Sequence, residues 1–316
     1  MSQPIATKSA ILLRRGSNAT GPLLLLTSSV AFSAAGFFAR SVQVDTVTML
    51  FWRNLFGGLI LLLFAFRYVR MPKIADRLRA AAIVALSAFG SICYIAAFAF
   101  TSVANISIIY AAAPMLTAAL AWAALRERMG KRTLAAALAA FVGVALTSLG
   151  AGFARGSVAG DGLALLMTLA LSAVAVLSRG RTLPPLTLSC ASSLLATLAI
   201  APARPILLLS ARQFMWLAAF GVVTIAVAFP LYLLGLRSVA AGRAMLISAM
   251  ELPLAPLWVW MAYGELPGGH AVVGGAIVCA AILWDLLARM RPWSPGIRSL
   301  EIRKSAELEI LNDRDG

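Results

Sequence analysis

The sequence predicts an all-α integral membrane protein in which ten transmembrane helices form two inverted five-helix repeats. Three observations predict this fold class. The 316 residues are 61% hydrophobic and 12% charged, whereas soluble domains are about half apolar and about a quarter charged. Ten apolar segments each come close to the length that crosses a bilayer. A phrase in the first half of the chain returns in the second half without its arginines.

The ten segments follow one another with no stretch between them that could form a soluble domain. A helix needs about 20 apolar residues to cross the hydrocarbon core, with roughly 17 to 25 as the usual range. In chain order the predicted spans are 21–39, 47–66, 78–100, 105–125, 133–149, 160–178, 183–203, 214–236, 244–263 and 271–287. Prolines stand at both ends of the seventh span, where they limit a helix.

The basic residues orient the spans. If the N-terminus is cytoplasmic and the spans alternate, 22 of the 27 Lys and Arg residues fall on the cytoplasmic side. Four fall outside, and Arg53 lies within the second span. Cytoplasmic loops of membrane proteins have such an excess. The sequence therefore predicts a multi-pass protein of a bacterial inner membrane with both termini cytoplasmic, where 1–20 and 291–316 form the terminal segments.

Composition excludes several other classes of protein. The net charge of +15 lies in short clusters between apolar runs rather than on one exposed face, so nucleic acid is not an expected partner. Three separated cysteines and a single histidine support neither a disulfide framework nor a zinc site. No GxxxxGK[ST] run is present for ATP. We expect no metal and no cofactor.

An internal repeat relates the two halves of the chain. The phrase "AWAALRERM" at 121–129 returns as "VWMAYGELP" at 259–267, so a shift of 138 places Trp122 on Trp260 and Glu127 on Glu265. Shifts of 136 and 139 align stretches further upstream. These offsets predict one five-span unit used twice, at 21–150 and 151–290.

The odd number of spans in the unit inverts its second copy. A unit that follows five spans starts on the opposite side of the membrane. The arginines of the first phrase then face the cytoplasm, and the second phrase faces outward, where arginines would oppose insertion. Inverted repeats are common among secondary transporters, which bind substrate near the midplane between the two units.

Three stretches resemble a known family. They are "SVANISIIYAAAPMLTAALAWAALRERM", "SVAAGRAMLISAMELPLAPLWVWMAYGELP" and "FWRNLFGGLILLL", and they resemble the EamA repeat of the drug/metabolite transporter superfamily over residues 21–290. The resemblance implies two inverted five-helix units and export or exchange of small metabolites, frequently amino acids, including aromatic ones. Arg126 departs from the glycine that many members have there, and Glu251 before Pro253 occurs in only some members.

The predicted function is therefore secondary transport by alternating access, with a central site between the repeats. The expected substrates are small organic metabolites, with amino acids favoured. An integral-membrane enzyme that acts on a lipid or prenyl substrate is the alternative. The expected partners are a small-molecule substrate and the lipid bilayer, and the sequence does not decide between a monomer and a homodimer.

Two charged residues within spans are the first candidates for the site. Glu251 lies about seven residues into the ninth span, where it could carry a proton or bind a substrate ammonium. Its alternative role is a neutral side chain bonded to backbone freed by Pro253. Arg53 lies about six residues into the second span. It could bind a substrate carboxylate, form an ion pair or extend to the outer interface.

The remaining candidates are aromatic residues, a proline and two helix-end carboxylates. Tyr94, Tyr110, Tyr232 and Trp258 are predicted to line an apolar pocket, with lipid-facing positions as the alternative. A kink at Pro114 is predicted to border the cavity, although a packed kink without function is equally compatible.

Helix-end residues are expected to hold structure rather than substrate. Glu127 and Glu265 are predicted anchors, Glu127 through the neighbouring basic residues 126–132 and Glu265 through the amides of 268 and 269. Asp285 is expected to pair with Arg289 one turn away. Asn105 is expected to cap the fourth span.

Overall fold

A computed structural model describes residues 20–68, 72–151, 157–180, 183–264 and 266–290. Within these ranges, ten helices are long and apolar enough to cross a membrane, and no strand occurs, which confirms the predicted fold class. The helices are α1 Thr20–Val42, α2 Thr46–Tyr68, α3 Arg77–Phe100, α4 Val103–Leu125, α5 Lys131–Ala151, α6 Val158–Ser178, α7 Pro185–Ile200, α8 Ala211–Leu236, α9 Ala241–Tyr263 and α10 Gly269–Met290. Each predicted span overlaps one helix, and the ends differ by less than one turn.

The alternating helices define two faces of the molecule. One face has loops and helix ends that contain most of the described basic residues, and we call it the basic face. Odd-numbered helices begin at this face, and even-numbered helices end at it. The opposite face contains the ends of the odd-numbered helices and the starts of the even-numbered helices. Two short 3₁₀ helices, Ile74–Asp76 and Ala201–Ala203, extend the start of α3 and the end of α7.

Two helices are broken near their middle. α4 consists of Val103–Ala111 and Ala113–Leu125, which we call α4a and α4b. α9 consists of Ala241–Ser248 and Glu251–Tyr263, which we call α9a and α9b. A proline follows each break closely, Pro114 in α4b and Pro253 in α9b, and its missing N–H cannot continue the preceding hydrogen-bond ladder.

α8 contains a different irregularity. Its residues Val222–Ala228 form a π-helical segment just before Pro230. Short π segments within α-helices are frequent at functional sites. This one directly follows Gly221, which packs so closely on α2 that an added Cβ would lie 2.5 Å from the carbonyl oxygen of Arg53.

The second halves of α4 and α9 show the repeat directly. α4b and α9b each have 13 residues and stand 138 positions apart. Both end in a left-handed residue, with φ 55° at Arg126 and φ 70° at Gly264. Glycine adopts this conformation freely and arginine rarely does. The guanidinium of Arg126 lies over the ring of Trp122, 5.6 Å from its centre, which offsets part of that strain.

Helix packing has the symmetry of two inverted units. In one unit, α3 packs on α6 and α7, and α4 packs on α5 and α6. The equivalent helices of the other unit make the same contacts: α8 packs on α1 and α2, and α9 packs on α10 and α1. α2 packs on α7 and α5 packs on α10 across the symmetry axis. These crossings require small residues: an added Cβ on Gly143 would lie 2.7 Å from the carbonyl oxygen of Gly274.

Candidate functional site

Glu251 is the first residue of α9b and lies directly at the break in α9. Its carboxylate hydrogen-bonds with the hydroxyl group of Tyr110, which lies near the end of α4a. The contact therefore joins the two breaks, one from each repeat. Both side chains retain partial solvent exposure although they lie in the middle of spanning helices, so they border a space between the helices rather than a packed core.

Two further tyrosines surround this carboxylate. Tyr94 of α3 and Tyr232 of α8 are both in electrostatic contact with Glu251. The Tyr232 hydroxyl group is 3.2 Å from the Met245 sulfur, and its ring meets Phe32 edge-on at 6.4 Å between ring centres. Four predicted site residues on four helices are thus brought together, and their role as substrate ligands stays a prediction.

Arg53, on α2, contacts an aromatic ring of α8. The carbon at the centre of its guanidinium is 5.1 Å from the centre of the Phe220 ring, and Phe220 is only 2% exposed. Arg53 is also in electrostatic contact with Tyr94. Its Nε is buried without a hydrogen-bond partner among the described residues. The side chain thus points into the protein on an aromatic ring and not toward the outer interface.

Trp258 and Pro114 border the same region from other directions. The Trp258 indole N–H donates to Ser33 Oγ at 2.8 Å and so ties α9b to α1. Pro114 is buried at the start of α4b, and its carbonyl oxygen faces Gly242 of α9a. These two predicted residues position the broken helices, and the structure gives neither a direct contact with Glu251.

The two broken helices approach each other at one end only. α4b packs closely on α9a at the basic face, where an added Cβ on Gly242 would lie 3.2 Å from the Ala118 Cβ and 2.4 Å from the end of Met129. The halves α4a and α9b are not among the closely packed helix pairs of the described chain. The space around Glu251 is therefore closed toward the basic face and is wider toward the opposite face.

An ion pair reinforces the closed end. Arg179, at the end of α6, contacts Glu127, at the end of α4, with 3.3 Å between Nε and Oε2. The same guanidinium donates to the carbonyl oxygen of Arg237 at 3.1 Å, and Arg237 donates to the carbonyl oxygen of Leu183. Side chains from the ends of α4, α6 and α8 and the start of α7 are thus connected.

A second, more deeply buried ion pair lies beside the first. Arg243 of α9a contacts Asp285 of α10 at 2.6 Å, and Thr133 of α5 donates to the same carboxylate at 2.7 Å. Asp285 is only 1% exposed. Between the two pairs remains a small cavity of about 50 Å³, bordered by Glu127, Arg243 and Gly242 among others.

Contacts at the opposite face include hydrogen bonds and a cation–π contact. Ser41 and the Tyr263 hydroxyl are 2.7 Å apart, and Arg40 lies over the Tyr263 ring at 5.3 Å. Asp161, in the first turn of α6, accepts a 2.6 Å hydrogen bond from Thr101 and a longer one from Asn105.

Several partners differ from the expected ones. Glu127 is anchored by Arg179 and not by its basic neighbours, because Arg126 in its left-handed conformation turns toward Trp122. Asp285 contacts Arg243 and Thr133, which are distant in sequence, whereas the side chain of its expected partner, Arg289, lies outside the described part of the chain.

The expected cap of α4 also needs correction, and one predicted anchor is not described. Ser102 is the capping residue, since its side chain accepts from the backbone N–H of Asn105 at 3.1 Å. Glu265 lies outside the described residues. Among the described residues, no group of three His, Cys, Asp or Glu side chains could hold a metal ion.

Phe220, Met245, Arg179 and Arg243 contribute contacts that sequence reasoning missed. One signal was available for Arg179: a shift of 139 aligns it with Arg40, at the end of the first span of the other repeat. Phe220 and Met245 lie in uniformly apolar stretches, where neither composition nor spacing distinguishes them.

The fold is that of an integral membrane protein built from two inverted repeats. The chain belongs to the EamA-like transporter family, whose sequence model matches residues 19–149 and again residues 158–286. A relative from Archaeoglobus fulgidus, described as an uncharacterized transporter, is 29% identical over 274 residues, which cover 83% of this chain and 95% of the relative.

A solved crystal structure has the same fold. It superposes with a TM-score of 0.74 at 17% sequence identity and covers 87% of this chain and 100% of its own. At that identity the likeness extends to the fold alone.

Proposed function

We propose that this transporter exports or exchanges small organic metabolites, with amino acids as the substrate class, by alternating access around a central site. The main support is the hydrogen bond between Tyr110 and Glu251. It joins the broken helices of the two repeats at mid-depth, in a space that has solvent access. Secondary transporters commonly bind substrate where discontinuous helices of two inverted repeats meet.

The chemistry of the site supports an amino acid or a related molecule. A carboxylate surrounded by phenol groups offers a substrate ammonium one ionic contact and several hydrogen bonds. The rings of Tyr94, Tyr110 and Tyr232 offer apolar faces to a side chain, and aromatic rings also attract cations. Glu251 is thus the proposed ammonium ligand and, when the substrate is absent, a proton carrier.

Unequal packing of the broken helices supports alternating access. α4b packs on α9a, whereas α4a and α9b do not pack closely. In an inverted repeat, exchange of the conformations of the two units produces a state with the opposite opening. The state described here is closed toward the basic face, which the excess of arginine and lysine places in the cytoplasm.

The enzyme alternative has less support. Membrane enzymes that act on lipid or prenyl substrates generally need clustered acidic or histidine side chains at a membrane surface. In the described part of the chain, the carboxylates within spans stand singly, and Glu251 lies near mid-depth. A single buried carboxylate among tyrosines suits binding and release better than metal-assisted chemistry.

Flux in proteoliposomes tests the proposal. Purified protein, reconstituted with labelled amino acids inside, should release at least one of them faster than protein-free vesicles do, with or without a pH gradient. Glu251→Gln keeps the shape of the side chain and loses its charge, so flux should fall by at least about tenfold, as expected for loss of a charge-assisted hydrogen bond. Tyr263→Phe, at the opposite face, is a control that should keep most of the flux.

A disulfide at the closed end tests the alternation itself. Cysteines at Ala118 and Gly242 would have Cβ atoms near the usual disulfide separation. In a background without the three native cysteines, oxidation should stop flux and reduction should restore it. Flux that persists in the cross-linked protein would contradict alternating access, and absence of flux for every amino acid would remove the substrate class.

A further inference from the structure

In the described part of the chain, no carboxylate forms an ion pair with the Arg53 guanidinium. Its Nε is buried and makes no hydrogen bond in the described part of the chain. A guanidinium has five N–H donors, and contact with the face of the Phe220 ring satisfies none of them. Because buried polar groups are nearly always hydrogen-bonded, and a buried charge without a partner is strongly unfavourable, this side chain points to a ligand that completes it.

The described carboxylates have other partners and cannot supply that ligand. The acceptor–donor pairs are Asp45 with Thr48, Glu127 with Arg179, Asp161 with Thr101, Glu251 with Tyr110 and Asp285 with Arg243. Asp76 lies at the start of α3 on the basic face, whereas Arg53 lies toward the opposite face.

Arg53 lies at about the same depth in its helix as Tyr110 does. It is seven residues from the start of α2, which corresponds to about 10 Å at the rise of an α-helix. Tyr110 is also seven residues from the corresponding end of its helix. Tyr94 interacts electrostatically with both Arg53 and Glu251, so the two charged groups lie near the same tyrosine.

We infer that Arg53 binds the carboxylate group of the transported molecule, with the Phe220 ring supporting the guanidinium plane. This assignment rests on the proposed function and narrows its substrate class: the carboxylate is the required group, and the ammonium, at Glu251, is the second contact. A single guanidinium among neutral phenols matches one negative charge, whereas a phosphate dianion would need further cations. Arginine also matches a carboxylate in a planar, two-bonded geometry that lysine lacks.

Ligand-dependent thermal unfolding of the purified protein tests this assignment without a flux measurement. The two probes are 3-phenylpropionate, which has the carboxylate and no amine, and phenethylamine, which has the amine and no carboxylate. A ligand that binds only the folded state raises Tm, and the shift grows with the logarithm of its concentration relative to its Kd. We expect 3-phenylpropionate to raise the Tm of the wild-type protein and of the control Tyr263→Phe, which lies at the opposite face.

Arg53→Gln should weaken binding of 3-phenylpropionate at least about tenfold, as expected for loss of hydrogen bonds to a charged group. Binding of phenethylamine should not weaken in this variant. Arg53→Lys keeps the charge and loses the planar fork, so an intermediate affinity is expected. It also serves as the test variant if Arg53→Gln does not fold.

Two results would overturn the assignment. One is no Tm shift of the wild-type protein with 3-phenylpropionate, and the other is equal affinity for this probe in the wild-type and both Arg53 variants. The proposed function fails in a different way. If no amino acid is transported while binding of 3-phenylpropionate still depends on Arg53, the site stands and the transport proposal falls. If amino acids are transported while binding of 3-phenylpropionate does not depend on Arg53, the transport proposal stands and the assignment of Arg53 falls.

Discussion

The Arg179 guanidinium meets the Glu127 carboxylate at 3.3 Å and joins the end of α6 to the end of α4. The same side chain bonds to the backbone of Arg237, at the end of α8. The ends of α4, α6 and α8 are therefore connected at the basic face by one arginine. At the equivalent place of the other repeat, Arg40 lies over the Tyr263 ring.

We expect loss of this ion pair to favour opening at the basic face. The two side chains are 29% and 26% exposed, so solvent screens their attraction. The ion pair should therefore stabilise the state closed at the basic face by about 1 kcal/mol. Glu127→Gln should then raise the population of the state open at the basic face about fivefold. Modification of a cysteine at position 118 by a membrane-impermeant thiol reagent measures this population. Arg128→Gln, an exposed neighbour, should leave the rate unchanged, and an unaltered rate in Glu127→Gln would contradict the prediction.

The repeat also predicts a contact that forms in the other state. Offsets of 136 for the first halves of α4 and α9 and 138 for the second halves map Gly242 on Ile106 and Ala118 on Pro256. Ile106→Cys with Pro256→Cys should therefore form a disulfide only when the opposite face closes. The contact between positions 118 and 242 is not cross-linked in this test, so the basic face can open. Cross-linking at 106 and 256 that increases during transport therefore supports exchange of conformations.

The cross-link has a direct control. When the pair at 118 and 242 is oxidised first, the basic face is held closed, and the pair at 106 and 256 should no longer form. Equal cross-linking at 106 and 256 with and without that lock would show that the two ends do not alternate.

The buried pair of Arg243 and Asp285 should matter for stability more than for opening. The exposed fractions are 12% and 1%, and removal of one partner of a buried pair leaves an uncompensated charge. Asp285→Ala should lower the free energy of unfolding by about 3 kcal/mol or more. Denaturant unfolding in mild detergent measures this change. Thr133→Val, which removes only the hydroxyl hydrogen bond, should lower it by about 1 kcal/mol; equal effects of the two variants would contradict the assignment.

Close approach of α5 and α10 should make Gly274 intolerant of a side chain. An added Cβ there would lie 2.3 Å from the carbonyl oxygen of Gly143, and a backbone atom cannot turn away as a flexible side chain can. Gly274→Ala should therefore destabilise the protein by about 1–3 kcal/mol. The control is Gly162→Ala in α6, where no atom lies within 4 Å of the added Cβ. The Tm of Gly274→Ala should be clearly lower than that of Gly162→Ala. The Tm of Gly162→Ala should equal or exceed that of the wild-type protein.

Part of the candidate site was accessible from sequence because ionisable groups are rare within spans. Glu251 and Arg53 stood out for that reason. The tyrosines were chosen for their aromatic character, and three of them do surround the Glu251 carboxylate. The partners Arg179 of Glu127 and Arg243 of Asp285 could not be predicted in this way, because they lie 52 and 42 residues away and spacing along the sequence indicates only neighbouring residues.

The sequence by itself determined the number, limits and order of the helices and the inverted repeat. Each span must satisfy its own backbone hydrogen bonds in lipid, so length, hydropathy and the flanking charges suffice to find it. The tertiary structure alone decided which side chains meet. α4, α8 and α9 are apolar on nearly all sides, and no stripe of polar residues shows how each is rotated about its axis. That rotation places Arg53 on Phe220 and Tyr110 on Glu251, and it depends on small residues packing between the repeats.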